Sequence, residues 1–290
     1  MHFSTVRAES ECLQVRPGQD EVSTVRMSFS FPPAELPPEA ADVRHSVRRF
    51  LEAERSRGSF EPHCSGWMVF DRDFSRRCGE QGFIGMVWPK AYGGGERSPL
   101  ERYVVLEELL AAGAPVGAHW IADRQSGPQI LRHGSDELRN DILPRICRGE
   151  VSFAIGMSEP DAGSDLANIA SRAERVEGGW KLNGRKIWTT NGHRADYFIG
   201  LFRTGPRNPD ARHEGMTQFV VRLASEGIGR RPIDDLPGHA DFSEVVLDDV
   251  FVPDSHVLGV PGKGWELVTS ELANERSGPE RFLSVFPLLA

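Results

Sequence analysis

Residues 153–165 (FAIGMSEPDAGSD) combine side chains and backbone features that suit ligand binding. The segment reads as a short apolar strand that opens into a loop of small residues. In that loop Ser158 supplies a hydroxyl group, Pro160 stiffens the backbone, and Gly163 permits another molecule to approach closely. The carboxylate of Glu159 is expected to stabilise the loop by accepting hydrogen bonds from backbone N–H groups.

A second segment, residues 184–191 (GRKIWTTN), supplies complementary groups. Asn183 and Gly184 form a pair typical of a hairpin turn, and the pattern then predicts a strand that carries Trp188 and two threonines. Together the two segments offer hydroxyls, backbone N–H groups and one flat aromatic side chain. These groups suit a large planar cofactor with polar edges.

Helical patterning dominates the part of the chain before these segments. Residues 38–150 carry apolar side chains at helical spacing, with Gly113 expected to end one helix and Ser135 to cap another. The preceding residues 1–37 lack periodicity and end in a cluster of prolines. We therefore predict a flexible leader followed by an N-terminal helical domain.

Short strands dominate residues 151–261. They are bounded by Gly-Gly, Asn-Gly, Pro or charged turns, and read FAIGM, RAERVEG, WKLNGRKIWTT, DYFIGLF, MTQFVVRL and FSEVVLDDVFVP. This spacing is typical of an antiparallel β-barrel or sandwich. No GxGxxG motif opens a helix, which disfavours a Rossmann cofactor site. The predicted fold class is a multi-domain α+β protein, with helices before and after the middle β domain.

Helical spacing returns in residues 262–290, interpreted as the beginning of a C-terminal helical domain. Glu275 continues an apolar stripe of Trp265, Val268 and Leu272. Gly278 and Pro279 should interrupt the helix. A further stripe of Phe282, Phe286 and Leu289 leaves an unfinished apolar face, for which we expect further sequence or a partner.

Composition narrows the function classes. The net charge of −8 and the pI of about 5.6 argue against a nucleic-acid partner. The four cysteines are far apart and form no CxxC pair, which argues against a metal site and a disulfide framework. No apolar run approaches the length of a membrane span. The sequence thus predicts a cytoplasmic protein.

The two segments resemble the flavin-contacting motifs of the acyl-CoA dehydrogenase family. The matching residues are Ser158-Glu159-Pro160, Ala162-Gly163-Ser164-Asp165, Asn183-Gly184, Lys186, Trp188 and Thr190-Asn191. The resemblance extends from about Pro38 to the C-terminus. That family has a further helical domain, and the resemblance implies that most of it is absent from this sequence.

The resemblance implies FAD as cofactor and an acyl-CoA thioester as substrate. The implied flavin contacts are Ile155, Met157, Ser158, Gly163, Ser164, Trp188, Thr189 and Thr190. Ser164 and Arg276 are implied to contact the acyl-CoA. The competing interpretation of Trp188 is a sheet-core residue, although its spacing with Ser158 and Ser164 favours the flavin.

The implied reaction is α,β-dehydrogenation, in which a carboxylate removes the α-proton and hydride passes from the β-carbon to flavin N5. Glu275 matches the position of the catalytic base in a minority of the family, with Arg276 beside it as an orienting residue. The alternative is that Glu275 and Arg276 are a helix-packing pair and the base lies elsewhere.

The resemblance further implies an oxidoreductase of fatty-acid or lipid metabolism that passes electrons to an electron-transfer flavoprotein. Family members are homo- or hetero-oligomers, with dimers and tetramers prevailing. Two alternatives remain open: a non-catalytic or partner-dependent subunit of a heteromeric acyl-CoA dehydrogenase, and an oxygen-reactive oxidase or monooxygenase.

Overall fold

The computed structural model describes residues 7–13, 24–30, 35–283 and 285. The chain divides into two compact units, Met1–Ala41 and Asp42–Ala290. In the first unit, strands β1 (Arg7–Leu13) and β2 (Thr24–Ser30) pair antiparallel. The sequence predicts neither strand, and the other residues of the expected leader up to residue 34 lie outside the described residues.

Six α-helices precede the middle sheet: α1 (Pro38–Ser56), α2 (Arg72–Glu80), α3 (Pro99–Ala111), α4 (Gly117–Ile121), α5 (Gly127–His133) and α6 (Asp136–Cys147). Their ends follow the predicted signals. Gly113 has the left-handed φ of 62° just after α3. The Ser135 hydroxyl accepts the Leu138 N–H at 3.1 Å and so caps α6.

A π-helical turn, Ala122–Ser126, joins α4 to α5 without a break. The Gly127 N–H donates to the carbonyl of Ala122, five residues earlier. Pro128 in the next turn has no N–H to donate to the Arg124 carbonyl, so the ordinary α-helical ladder is interrupted here.

The middle domain is a mixed sheet of eight strands: β3 (Phe153–Gly156), β4 (Arg172–Val176), β5 (Gly179–Lys186), β6 (Tyr197–Arg203), β7 (Met216–Arg222), β8 (Ile228–Ile233), β9 (Phe242–Pro253) and β10 (Val257–Leu258). The strand order is β10-β7-β6-β4-β5-β9-β8, with β3 beside β6. The β3–β6 and β4–β6 pairs are parallel and the other pairs antiparallel.

The β character of this domain is confirmed, but the sheet is open. Among the described strands no ladder joins β8 to β10, so the expected barrel does not close. Strand β8 was not predicted, because its sequence IGRRPI is largely exposed and lacks apolar alternation.

The prediction of a hairpin turn at Asn183-Gly184 is wrong. Strand β5 runs through this pair with a bulge, and the turn lies instead between Val176 and Gly179. Gly184 is needed for close approach, because an added Cβ would lie 2.1 Å from the Ser171 hydroxyl. The strand also ends earlier than expected, at Lys186, so Trp188 lies in the following segment.

Helices α7 (Gly264–Ser277) and α8 (Glu280–Leu283) follow the sheet. The predicted interruption at Gly278-Pro279 is confirmed. Val268 on α7 is buried against Ala162 of the small-residue loop and Leu201 of β6, which fixes α7 to the sheet. Phe282 is exposed, while Phe286 and Leu289 lie outside the described residues. Among the described helices, none is long and apolar enough to cross a bilayer.

Candidate functional site

A cavity of about 670 Å³ lies where the helical domain, the sheet and α7 meet. Both sequence segments contribute to its wall. The predicted site residues that line it are Ile155, Met157, Ser158, Gly163, Ser164, Trp188, Thr190, Glu275 and Arg276. Thr189 is fully buried and does not line the cavity. The structure therefore brings together residues that are up to 121 positions apart, from Ile155 to Arg276.

The small-residue loop reaches the cavity because β3 ends at its edge. Strand β3 pairs in parallel with β6 and ends at Gly156, where an added Cβ would lie 2.6 Å from the Phe198 ring. The carbonyl of Ser158 accepts the Ile187 N–H at 2.9 Å. This bond ties the loop after β3 directly to the segment after β5.

A buried ion pair reinforces the same connection. Lys186 is fully buried, and its Nζ donates to Glu159 Oε1 at 2.8 Å and to the Met157 carbonyl at 3.2 Å. Glu159 also accepts the N–H groups of Ala170 at 2.6 Å and Ser171 at 3.0 Å, which confirms its predicted role in the loop. Burial lowers the pKa of Lys186 to about 8, against the opposing effect of the Glu159 charge.

The pKa of Glu159, like that of Lys186, is lowered, but burial acts on it in the opposite direction. Burial alone would raise its pKa, but the Lys186 charge and the hydrogen bonds that Glu159 accepts lower it. Glu159 is therefore held as a carboxylate at neutral pH. An ionised carboxylate buried beside a lysine is expected to fix the loop geometry strongly.

The segment after β5 is hydrogen-bonded to the sheet region, and all of its residues from Ile187 to Asn191 except Thr189 line the cavity. The N–H groups of Thr189 and Asn191 donate to the carbonyls of Ser243 at 3.1 Å and Asp241 at 2.8 Å. The intervening Trp188 and Thr190 side chains line the cavity. This arrangement presents one indole and one hydroxyl to a ligand.

Backbone strain accompanies that arrangement. Trp188 and Asn191 adopt the left-handed φ values of 59° and 54°, which are rare for residues other than glycine. The Trp188 side chain is 58% exposed, although burial would be favourable for so large an apolar group. Strained conformations of this kind cluster at functional sites, where surrounding hydrogen bonds maintain them.

Helix α7 places two carboxyl groups on the cavity wall, Glu271 and Glu275. Glu275 is half-buried, and its main-chain carbonyl accepts a hydrogen bond from the Arg124 guanidinium at 3.3 Å. Glu271 is only 3% exposed. Burial raises the pKa of Glu271 to about 7; a hydrogen bond from Gln218 opposes this shift and the Glu275 charge adds to it.

The opposite wall comes from the helical domain, and the sequence interpretation missed it. Trp67, Trp120, Arg124 and Gln125 lie there, and the Arg124 guanidinium sits 5.0 Å above the Trp120 ring. No local sequence signal connects these residues with segments so distant in the chain. Glu271 was detectable, because residues four apart on a helix share a face and it precedes Glu275 by four.

Aromatic walls, a hydroxyl edge and carboxyl groups together suit a flat ligand bound beside a substrate that gives up a proton. Two family models match the chain: the acyl-CoA dehydrogenase N-terminal domain over residues 37–150 and the acyl-CoA dehydrogenase middle domain over residues 154–250. The chain belongs to the acyl-CoA dehydrogenase family. The resemblance given by the two sequence motifs is thereby confirmed.

Comparisons with individual proteins agree with this assignment. FadE34 of Mycobacterium tuberculosis is 41% identical over 201 residues, which cover 68% of this chain and 27% of FadE34. The crystal structure of the ChsE4–ChsE5 complex from the same organism matches with a TM-score of 0.72 and 31% identity, over 85% of this chain and 63% of that one.

A third relative was solved with a reduced flavin. The structure of a glutaryl-CoA dehydrogenase from Mycobacterium smegmatis in complex with FADH2 matches with a TM-score of 0.67 and 28% identity. The match covers 88% of this chain and 62% of that one. The present chain thus spans less than two thirds of the length of each of these three relatives.

Proposed function

We propose that this chain supplies the FAD and acyl-CoA contacts of an acyl-CoA dehydrogenase, which removes hydrogen from the α- and β-carbons of an acyl thioester. The observation that carries the proposal is the single cavity onto which both family motifs and Glu275 open. Family membership supports the reaction class. This chain spans less than two thirds of the length of these relatives, so the activity of the whole protein is proposed as well.

The residues around the cavity fit FAD. Trp188 offers an exposed indole face, and Thr190 and Ser158 offer hydroxyl groups at the same wall. The Thr189 hydroxyl, buried behind them, has no hydrogen-bond partner among the described residues. Gly163 has open space where a side chain would project, which leaves room for a bulky ligand against the backbone.

FAD, when bound, supplies the acceptor for the hydride that leaves the β-carbon. Glu275 accepts the α-proton, since it is a half-buried carboxyl group on the cavity wall. Arg276 orients the carboxylate and the acyl-CoA, and Ser164 contacts the acyl-CoA from the small-residue loop. The tryptophans of the opposite wall exclude water from the reacting atoms.

Electrons that enter a flavin must leave it, and we propose an electron-transfer flavoprotein as their acceptor. We also propose that the chain assembles into an oligomer and acts in lipid metabolism in the cytoplasm. A partner-dependent subunit is the second candidate function. It is favoured by the structural match to a complex of two different proteins, ChsE4 and ChsE5.

The test is a visible absorption spectrum of the purified chain after FAD is added and excess FAD is removed. We expect retained flavin bands that bleach anaerobically on addition of an acyl-CoA from a mixed panel. Glu275→Gln should retain FAD and lose the bleaching, whereas Glu266→Gln, an exposed glutamate on the same helix, should bleach like the wild type.

A colourless wild-type protein would contradict the proposal for the isolated chain. Flavin retention that appears only after co-expression with a second family member would instead support the partner-dependent subunit. Normal bleaching by Glu275→Gln would remove Glu275 from the role of base.

A further inference from the structure

Glu271 is a second carboxyl group in the site, and the proposed reaction does not use it. It lies four residues before Glu275 on α7, and both side chains line the cavity. Residues at this spacing share a helix face, with Cβ atoms about 5–6 Å apart. The charge of Glu275 therefore contributes to the raised pKa of Glu271.

The surroundings of Glu271 favour its neutral form. Its Oε2 accepts a hydrogen bond from Gln218 Nε2 at 3.1 Å, while its Oε1 is buried without a partner among the described residues. A single neutral donor stabilises a buried carboxylate poorly, because the charge has lost its water. A protonated carboxyl group keeps the Gln218 bond and carries no charge.

Other elements around the cavity bring few charges to this position, and Glu280 of α8, which also lines the cavity, is paired with Arg102. Strand β7 contributes Gln218, and α5 contributes Gln129, which donates to the Leu267 carbonyl at 3.1 Å. The π-helical turn contributes Arg124, which donates to the main-chain carbonyl of Glu275. It also contributes Asp123, which is paired with Arg102, while Arg276 on α7 is exposed.

We propose that Glu271 is a positioning residue for Glu275: at neutral pH it holds a proton, so that of these two carboxyl groups on α7 only Glu275 is charged. This inference rests on the proposed function for the role of Glu275. In the reaction the α-proton passes to Glu275 and Glu271 keeps its own proton. Above neutral pH, Glu271 releases its proton to water, and two carboxylates then repel each other and an anionic acyl-CoA.

The titration of Glu271 can be measured without flavin. The pKa of Glu271 is raised from 4.5 to about 7 in the folded chain, so its stabilising contribution is complete below pH 4.5 and is lost as the pH rises through about 7. We therefore expect Glu271→Gln to melt increasingly above the wild type between pH 5 and pH 8, by about 5 °C at the upper end. Glu266→Gln should parallel the wild type.

Coupling to Glu275 is tested in the same measurement. In a Glu275→Gln background the pH at which Glu271 loses its contribution should fall, because the neighbouring charge is gone. Gln218→Met should raise this pH, because the hydrogen-bond donor to the charged form of Glu271 is lost. Gln218→Met also replaces Glu271→Gln in the test if Glu271→Gln does not fold. An unmoved midpoint in both backgrounds, or a Glu271→Gln curve parallel to the wild type, would overturn the proposal.

The flavin-loaded chain gives a second readout. The rate of flavin bleaching by acyl-CoA should decline above pH 7 in the wild type, and this decline should be absent in Glu271→Gln. An unchanged alkaline decline in the variant would overturn the role of Glu271 and leave the proposed function standing. A wild type that bleaches at no pH would overturn the proposed function, and the melting curves would still decide whether Glu271 holds the proton.

Discussion

Arg102 Nη2 on α3 lies 3.1 Å from Glu280 Oε1 on α8, a contact that joins the helical domain to the last helix of the described chain. The same guanidinium lies 3.0 Å from Asp123 Oδ2 in the π-helical turn. Arg102 is mostly buried, and the Glu280 side chain is completely buried. One arginine thus holds together three elements around the cavity, since Glu280 also lines it.

Arg102→Met should lower the free energy of unfolding by about 3 kcal/mol, because it leaves two buried carboxylates without their cation. Urea denaturation at neutral pH measures the loss. Arg148→Met is the matched control, since Arg148 pairs with Glu150 at the surface and such pairs contribute less than about 1 kcal/mol. Equal losses in the two variants would show that burial does not strengthen the Arg102 contacts.

Glu159→Gln should destabilise the chain by about 3 kcal/mol, since it leaves Lys186 charged and buried without its partner. It should also weaken FAD retention, because the loop that carries Ser158 loses its anchor. Asp161→Asn changes an exposed carboxylate in the same loop and should leave stability unchanged. A stable Glu159→Gln variant would mean that Lys186 loses its proton at little cost.

Trp188→Ala should weaken FAD binding by about tenfold, from the loss of aromatic contact. The melting temperature of the flavin-free chain should hardly change, because the side chain is 58% exposed. Leu236→Ala removes another exposed apolar side chain, outside the cavity, and should bind FAD normally. Fluorescence titration measures the FAD affinity of both variants. Equal affinities would place Trp188 outside the flavin site.

His119 makes the stability of the fold sensitive to acid. Burial lowers the pKa of His119 from 6.5 to about 4, and its Nδ1 lies 2.8 Å from the Ser75 hydroxyl. Its stabilising contribution is therefore present above pH 6.5 and falls by about 3 kcal/mol as the pH drops to about 4. His119→Gln should flatten this part of the stability curve, unlike the exposed His239→Gln.

Much of the fold can be predicted from the sequence, because the local sequence signals agree with the burial of the same residues in the structure. The cap at Ser135, the break at Gly278-Pro279 and the strands from Phe153 onward follow short-range rules. The features that the sequence does not predict depend on contacts between residues far apart in the chain. Gly184 reads as a turn residue but serves close packing against Ser171, which no neighbouring residue reveals.

The candidate site also has parts that the sequence predicts and parts that it does not. Its two loop segments and Glu275 stand out because polar groups, glycine and proline occur at defined spacings. The wall that carries Trp120 and Arg124 does not, since its side chains become neighbours of Glu275 only through the packing of α7 against the π-helical turn. Lys186 belongs to the second motif, but its burial and its pairing with Glu159 are not indicated by any neighbouring residue.

The π-helical turn Ala122–Ser126 allows the helix that forms this wall to change in length by one residue. A π-helical turn is an α-helix that accommodates one additional residue, so deletion of one residue there is expected to rotate the helix on one side relative to the other. Such a deletion would change the angular phase between Trp120 and Gln129 and thereby exchange the side chains presented to the ligand. One deleted residue is thus expected to change the cavity wall without rebuilding α4 or α5.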